Sequence, residues 1–289
     1  MNRIYRRSAT ALLAAIALAG GAAVSATSAS AQAGSAATAQ AATSICKSAT
    51  QPKLAARLSA EVTAALKDRV DSEVGLTVAD PADNLTCQLH QSWHFYAASV
   101  IKVSIISALL LKVGGPSGLT SEQKNLAWLM ITQSNNGAAT ALWKDVGGVA
   151  GMQVFLNKAG MRHTELSSAW GLTLITAQDE MTQLHVLTAK NKVLSTASRN
   201  YVLYLMANVI PSQRWGVPAG APANVKVHVK NGWLPYPNAD EWHVHSIGAF
   251  TGHDISYQIV ILTFGEQTES YGINTVQAAA RVINRELAG

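Results

Sequence analysis

Residues 99–113 read SVIKVSIISALLLKV, an apolar helical run with one ammonium group near its start. Ser99 and Lys102 stand three apart, so on a helix they share a face and Ser99 Oγ can meet Lys102 Nζ. Burying an unpaired ammonium is costly, so Lys102 is expected to be paired or partly neutral. A partly neutral lysine beside a serine hydroxyl is a general base beside a nucleophile. The plain alternative is an N-cap serine with a snorkelling lysine. Spacing alone does not choose, because S-x-x-K recurs at residues 44–47 and 121–124. The first lies in a polar low-complexity stretch, and the second follows Thr120 as a helix-capping segment. Only Ser99 heads a buried helix.

Working outward, Arg3, Arg6 and Arg7 precede an apolar run over 9–24 and an A-x-A pattern at 29–31. This layout reads as a cleavable export signal over residues 1–31 and a secreted product. The run is too short and too rich in Ala and Gly for a stable membrane span. Residues 32–50 begin QAGSAATAQAATSIC and read as a low-complexity flexible tail. The remaining 51–289 suits one domain with a substantial core.

The formal charge of +5 includes three signal arginines. No basic block with interleaved aromatics appears, so nucleic acid is excluded as a partner. Cys46 and Cys87 are the two cysteines, and in an exported chain they are expected to pair. A loop of about forty residues would then contribute roughly 3–4 kcal/mol.

Helical periodicity covers 53–68, and strand patterns cover 74–79 and 85–90. After the buried helix, the turn at 114–118 leads to helices over 121–133, 138–145, 149–159, 177–190 and 194–208. Strands follow at 225–229, 243–250 and 256–264, then an amphipathic helix at 273–287. This order predicts an α+β body from both chain ends, about 51–98 and 209–289, with an all-helical insert at 99–208. A cleft between such halves is a usual site.

Two further segments complete a constellation. Ser134-Asn135-Asn136 lies between two insert helices, and Lys230-Asn231-Gly232 ends the strand VKVHVK. Each alone is a good turn or strand exit. In the order S-x-x-K, S-x-N, K-x-G they resemble the serine acyl hydrolases that include penicillin-binding proteins and class A β-lactamases. The chain resembles the class A β-lactamase family over about 53–287. FYAASVIK (95–102), SNNGAATALWKDVGGVAGMQVFLNKAGM (134–161), VHVKNGW (227–233) and SIGAFTGHDISYQIVILT (246–263) carry the likeness.

The resemblance implies an antiparallel five-stranded sheet flanked by helices, plus a helical subdomain. It implies that Ser99 forms an acyl-enzyme, that Lys102 takes its proton, and that Ser134 passes a proton to the leaving nitrogen. Asn136 would hold a substrate amide, and Lys230, with Asn231 and Gly232, a substrate carboxylate. The backbone N–H groups of Ser99 and Trp233 would form the oxyanion hole. No metal or cofactor is implied. The expected partner of this monomer is a β-lactam or a peptidoglycan-type peptide.

Three departures from the family pattern stand out. Asn231 replaces a hydroxyl residue, though an amide can still donate a hydrogen bond. Ser134 follows Ser99 by only 35 residues, a shortened connection. After AGMRHTEL the chain runs SSAWGLTLITAQDEM, with no E-x-x-x-N pattern for a deacylating glutamate. Glu165, Asp179 and Glu180 are nearby acids outside that context, and Trp170 is a candidate to fill the space. The expectation is an acyl-enzyme that forms and persists.

Rival readings are weaker. No G-x-S-x-G elbow supports a lipase-type enzyme. A zinc enzyme could use His228, His243 and His245, and His243 and His245 alternate on one strand face, which suits two ligands, but no H-E-x-x-H or spaced third ligand accompanies them. A D,D-peptidase or esterase on the same scaffold, or a lactam- or peptide-binding module, remains an alternative.

Overall fold

The computed structural model describes residues 44–69, 72–236, 241–252 and 255–288. The expected signal at 1–31 and the tail as far as residue 43 lie outside the described residues. In chain order the elements are β1 (Cys46–Ser48), α1 (Pro52–Leu66), β2 (Glu73–Asp80), β3 (Leu85–Leu89) and β4 (Phe95–Tyr96). A 3-10 turn at Ala98–Ile101 runs into α2 (Lys102–Val113). Then come α3 (Ser121–Thr132), α4 (Asn136–Val146), α5 (Gly148–Ala159), a 3-10 turn at Trp170–Leu172, β5 (Leu174–Ile175), α6 (Ala177–Thr188) and α7 (Thr196–Ala207). The chain closes with β6 (Lys226–Pro235), β7 (Trp242–Gly252), β8 (Ile255–Glu266) and α8 (Glu269–Ala288).

The main sheet has the order β1-β3-β2-β8-β7-β6, antiparallel throughout. Near its centre, β8 carries the run YQIVILTF because both its faces are covered. Side chains alternate along a strand. Val260 and Leu262 therefore enter the core shared with the insert helices, while Ile259 and Ile261 enter the core shared with α1 and α8. On α8, Val276, Ala279, Ala280 and Ile283 make one apolar stripe at helical spacing. The α+β body with a helical insert is as expected. Among the described residues no helix is long and apolar enough to cross a membrane.

Three details differ from expectation. The five expected strands gain a sixth, β1, at the sheet edge. Cys46 faces Cys87 across that pairing, and the two are disulfide-bonded. Part of the expected tail is thus ordered into the sheet. Ser48 Oγ also donates to Asp83 O, and Gln88 N donates to Ile45 O at 2.7 Å. The local sequence offers no alternation over three residues; a covalent link and ladder bonds order it instead.

The other differences concern the site. β6 continues through Lys230–Trp233, where an exit from the strand was expected. Helix α2 begins at Lys102, so Ser99 sits on the preceding 3-10 turn. A small ladder pairs Phe95 with Ile175 and Tyr96 with Leu174, and Ala97 N donates to Thr173 O at 2.8 Å. It ties the segment before Ser99 to the segment after Trp170.

Candidate active site

The turn that presents Ser99 is held from several sides. Val100 and Ile101 are fully buried anchors, whereas Ser99 is partly exposed. Ala98, just before it, has φ 47°, a left-handed conformation unusual for a residue with a Cβ. Such strain persists only where the surroundings impose it. One restraint comes from His245. Its Nδ1 accepts from the Thr263 N–H at 3.1 Å, so its Nε2 carries the proton and donates to Tyr96 O at 2.8 Å. On the other side, β6 approaches closely: a Cβ on Gly232 would lie 2.8 Å from Ser99 N and 2.9 Å from Val100 N. Only glycine permits that approach.

Lys102 is 0% exposed. Its Nζ lies 2.9 Å from Ser99 Oγ, 2.7 Å from Ser134 O, 3.1 Å from Ser134 Oγ and 2.7 Å from Asn136 Oδ1. Four oxygens surround a nitrogen with at most three protons. Two of them, a carbonyl and an amide oxygen, can only accept. Burial lowers the pKa of Lys102 to about 7. Ser134 is brought to this nitrogen by its own left-handed backbone, φ 55°, between α3 and α4. Asn135 Oδ1 then caps α4 by accepting from Ala138 N at 2.8 Å. Asn136 opens that helix with its oxygen turned to Lys102.

Lys230 is equally buried. It donates to Ser134 Oγ at 3.0 Å and to Asn231 O at 2.8 Å. Burial first, and then the neighbouring Lys102, hold its pKa well below the usual lysine range. Among the described residues no carboxylate hydrogen-bonds either lysine. An indole stands there instead: Lys102 Nζ lies 5.0 Å from the centre of the Trp170 ring, and Trp170 Nε1 donates to Thr140 Oγ1 at 3.2 Å.

The nearby acids are placed otherwise. The Glu165 side chain is 53% exposed, with His94 Nε2 at 3.7 Å. Asp179 accepts from His163 N and Thr164 Oγ1, both at 2.8 Å. Glu180 is 0% exposed, and among the described residues neither of its oxygens has a hydrogen-bond partner. Burial, then Asp179, raises its pKa to about 8.

Ser99, Lys102, Ser134, Asn136, Lys230 and Gly232 thus converge. The Asn231 side chain does not join them. Its Nδ2 donates to Gln213 O at 2.8 Å and Trp215 O at 3.0 Å, bracing the loop before β6. The expectation that this amide meets a substrate is corrected: strand alternation puts it on the face opposite Lys230. The Trp233 ring likewise packs toward Trp215, centroids 5.8 Å apart, leaving only its backbone for the cleft.

Of the histidines weighed as metal ligands, His243 and His245 meet edge to face with ring centroids 5.7 Å apart. His228 contacts Leu203 O and Thr251 Oγ1, and His243 stacks on Phe264 with its centroid 4.5 Å away. Sequence reasoning missed Ala98, Thr140 and the His245 prop, whose roles depend on long-range contacts without a local signal.

The chain matches the profile of the Beta-lactamase enzyme family over residues 111–287, more than half its length. The chain belongs to this beta-lactamase family. The match begins after Ser99 and Lys102, so the nucleophile segment stands on geometry alone. A solved class A beta-lactamase from Bacteroides cellulosilyticus superposes with TM-score 0.69 at 16% identity, covering 80% of this chain and 97% of that one. A beta-lactamase from Desulfarculus baarsii gives TM-score 0.64 at 17% identity, covering 80% and 97%. At these identities the likeness establishes a class A beta-lactamase-like fold. The LppW proteins of Mycobacterium tuberculosis and Mycobacterium bovis, which carry the name of a lipoprotein, are 27% identical over 195 residues. That alignment covers 64% of this chain and 61% of theirs, so the chain spans less than two thirds of these relatives. The family match and the fold place the chain in the beta-lactamase superfamily.

Proposed function

We propose that this chain is an exported serine acyl hydrolase that opens β-lactam amides, or related wall peptides, through an acyl-enzyme on Ser99. One observation carries the reading: the buried Lys102 nitrogen touches both the Ser99 and the Ser134 hydroxyls, with a pKa near 7. Neutral Lys102 takes the Ser99 proton as Oγ bonds to the carbonyl carbon. The developing oxyanion is met by the Ser99 and Trp233 backbone N–H groups. As the C–N bond breaks, Ser134 gives its proton to the leaving nitrogen and is reprotonated from Lys102. Lys230 attracts the substrate carboxylate, and Asn136 Nδ2 holds a side-chain carbonyl.

Export is supported by the Cys46–Cys87 disulfide, which suits an oxidising compartment. The lipoprotein name of the LppW relatives points the same way. The indole on Lys102, where a water-activating carboxylate would be useful, favours a persistent acyl-enzyme. This behaviour fits a penicillin-binding-protein-like D,D-peptidase as well as a slow β-lactamase. A binding module has no need of a desolvated lysine against a serine.

The test is intact-protein mass over time after adding a penicillin, with Ser99→Ala as control. A long-lived adduct that vanishes in Ser99→Ala is expected. Failure of the parent protein to form any adduct would overturn the reading.

A further inference from the structure

The Trp170 ring stands against Lys102 Nζ. Four oxygens from Ser99, Ser134 and Asn136 lie 2.7–3.1 Å from Nζ, and the indole ring centre is at 5.0 Å. The ring is held by one hydrogen bond, and the backbone of Trp170 is tied toward the nucleophile segment. Its Nε1 holds Thr140 on α4 at 3.2 Å. Its backbone carbonyl accepts from Thr173 N at 3.2 Å. Thr173 O in turn accepts from Ala97 N at 2.8 Å, two residues before the nucleophile. Trp170 itself is only partly buried, so its outer side faces solvent.

Hydrolysing an ester on Ser99 needs a water at that nitrogen. The water oxygen bonds to the acyl carbon while one water proton passes to the lone pair of Lys102. The tetrahedral adduct then expels Ser99 Oγ, which takes the same proton back, and the free acid leaves. A water placed for this step must touch Nζ, which among the described residues is met by those four oxygens and by the indole. We propose that Trp170 is a positioning residue that sets the lifetime of the acyl-enzyme by keeping water from Lys102. This inference rests on Ser99 as the acyl carrier and adds which group governs release. The same ring leaves the Ser99–Lys102 contact intact, so acylation and release are separable.

The experiment compares the parent with Trp170→Ala, Trp170→Phe and Thr140→Val, each loaded with a fluorescent penicillin and followed by intact mass. In Trp170→Ala the adduct is expected to decay roughly tenfold faster or more, because an open site admits water to a general base. Acylation by the same probe should stay within about threefold, a split that a merely loosened fold would not give. Trp170→Phe keeps a ring over the nitrogen and should restore most of the parent lifetime. Thr140→Val, at an exposed position, only unpins the ring and should shorten the lifetime about twofold. It keeps the question answerable if Trp170→Ala does not fold. An adduct whose lifetime is unchanged in Trp170→Ala, or in Thr140→Val should the former not fold, would overturn the role of Trp170 alone. Absence of any adduct on the parent would overturn the acyl-enzyme itself, and this inference with it.

Discussion

Lys102 has more hydrogen-bond partners than protons, and that shortage defines its chemistry. With its pKa lowered to about 7 by burial, the neutral form grows as pH rises through that value. Acylation by a penicillin should therefore climb through about pH 7 and level off above it, measured as pseudo-first-order adduct formation. A profile flat from pH 5.5 to 8.5 would remove Lys102 as the base. Lys102→Arg should lose about a hundredfold or more in the same assay, since a guanidinium never gives up its proton. The pair was legible in sequence because both ingredients are local: a three-residue helical spacing and an ammonium in an apolar run. Asn231 was misread because the face a strand residue takes depends on register, which single positions do not reveal. Ala98 was invisible, since its left-handed backbone is imposed by Thr173, Gly232 and His245 from elsewhere in the chain.

Among the elements, α-helices were the easiest to foresee, since α3 through α7 each carry their period and punctuation. Thr120 and Gln123 form a reciprocal capping box at α3, in keeping with the capping reading of that segment. Two-residue β4 and β5 carry no period at all; they pair with each other, and Leu174 also bridges Glu165. β1 is similar, a three-residue strand held at the edge by Cys46–Cys87 with a sequence separation of 41. Replacing both cysteines with serine should lower unfolding free energy by roughly 2–4 kcal/mol, read from urea midpoints. Acylation should be unchanged, because β1 and the Lys230-bearing β6 are opposite edges of the sheet. A loss of acylation without a loss of stability would contradict this arrangement.

At the level of the whole molecule, two cores share one sheet, and both bury ionisable groups. Glu180 ionises near 4.5 when unfolded but near 8 when folded. Between those values the folded state holds the proton more tightly, so this residue makes stability fall as pH rises. His243 and His245, held near 2 and 4, act oppositely from about pH 4 to 6.5, because the unfolded chain binds the extra protons. The parent alone therefore reads the sum of opposed contributions. Subtracting it from Glu180→Gln isolates the carboxyl. The advantage of Glu180→Gln should grow between about pH 5 and 7.5, by up to roughly 1.4 kcal/mol per pH unit. Thermal melts at both pH values measure it, and a pH-independent difference would mean that Glu180 is ionised in the fold. The α+β class, with its mostly antiparallel sheet, was legible in the order of helix and strand patterns. The sequence could not disclose that Glu180 would be enclosed with no hydrogen-bond partner among the described residues, because enclosure is a property of the finished packing.

The crowding around Lys102 has one more consequence. Once neutral, its nitrogen has two protons, committed to Ser134 O and Asn136 Oδ1, and a single lone pair. The hydroxyls of Ser99 and Ser134 must take turns pointing at that pair. A proton can thus enter from one hydroxyl and depart toward the other by two bond rotations, with every heavy atom at rest. The lysine works as a stationary exchange, and the direction of traffic depends on which hydroxyl has just lost its hydrogen.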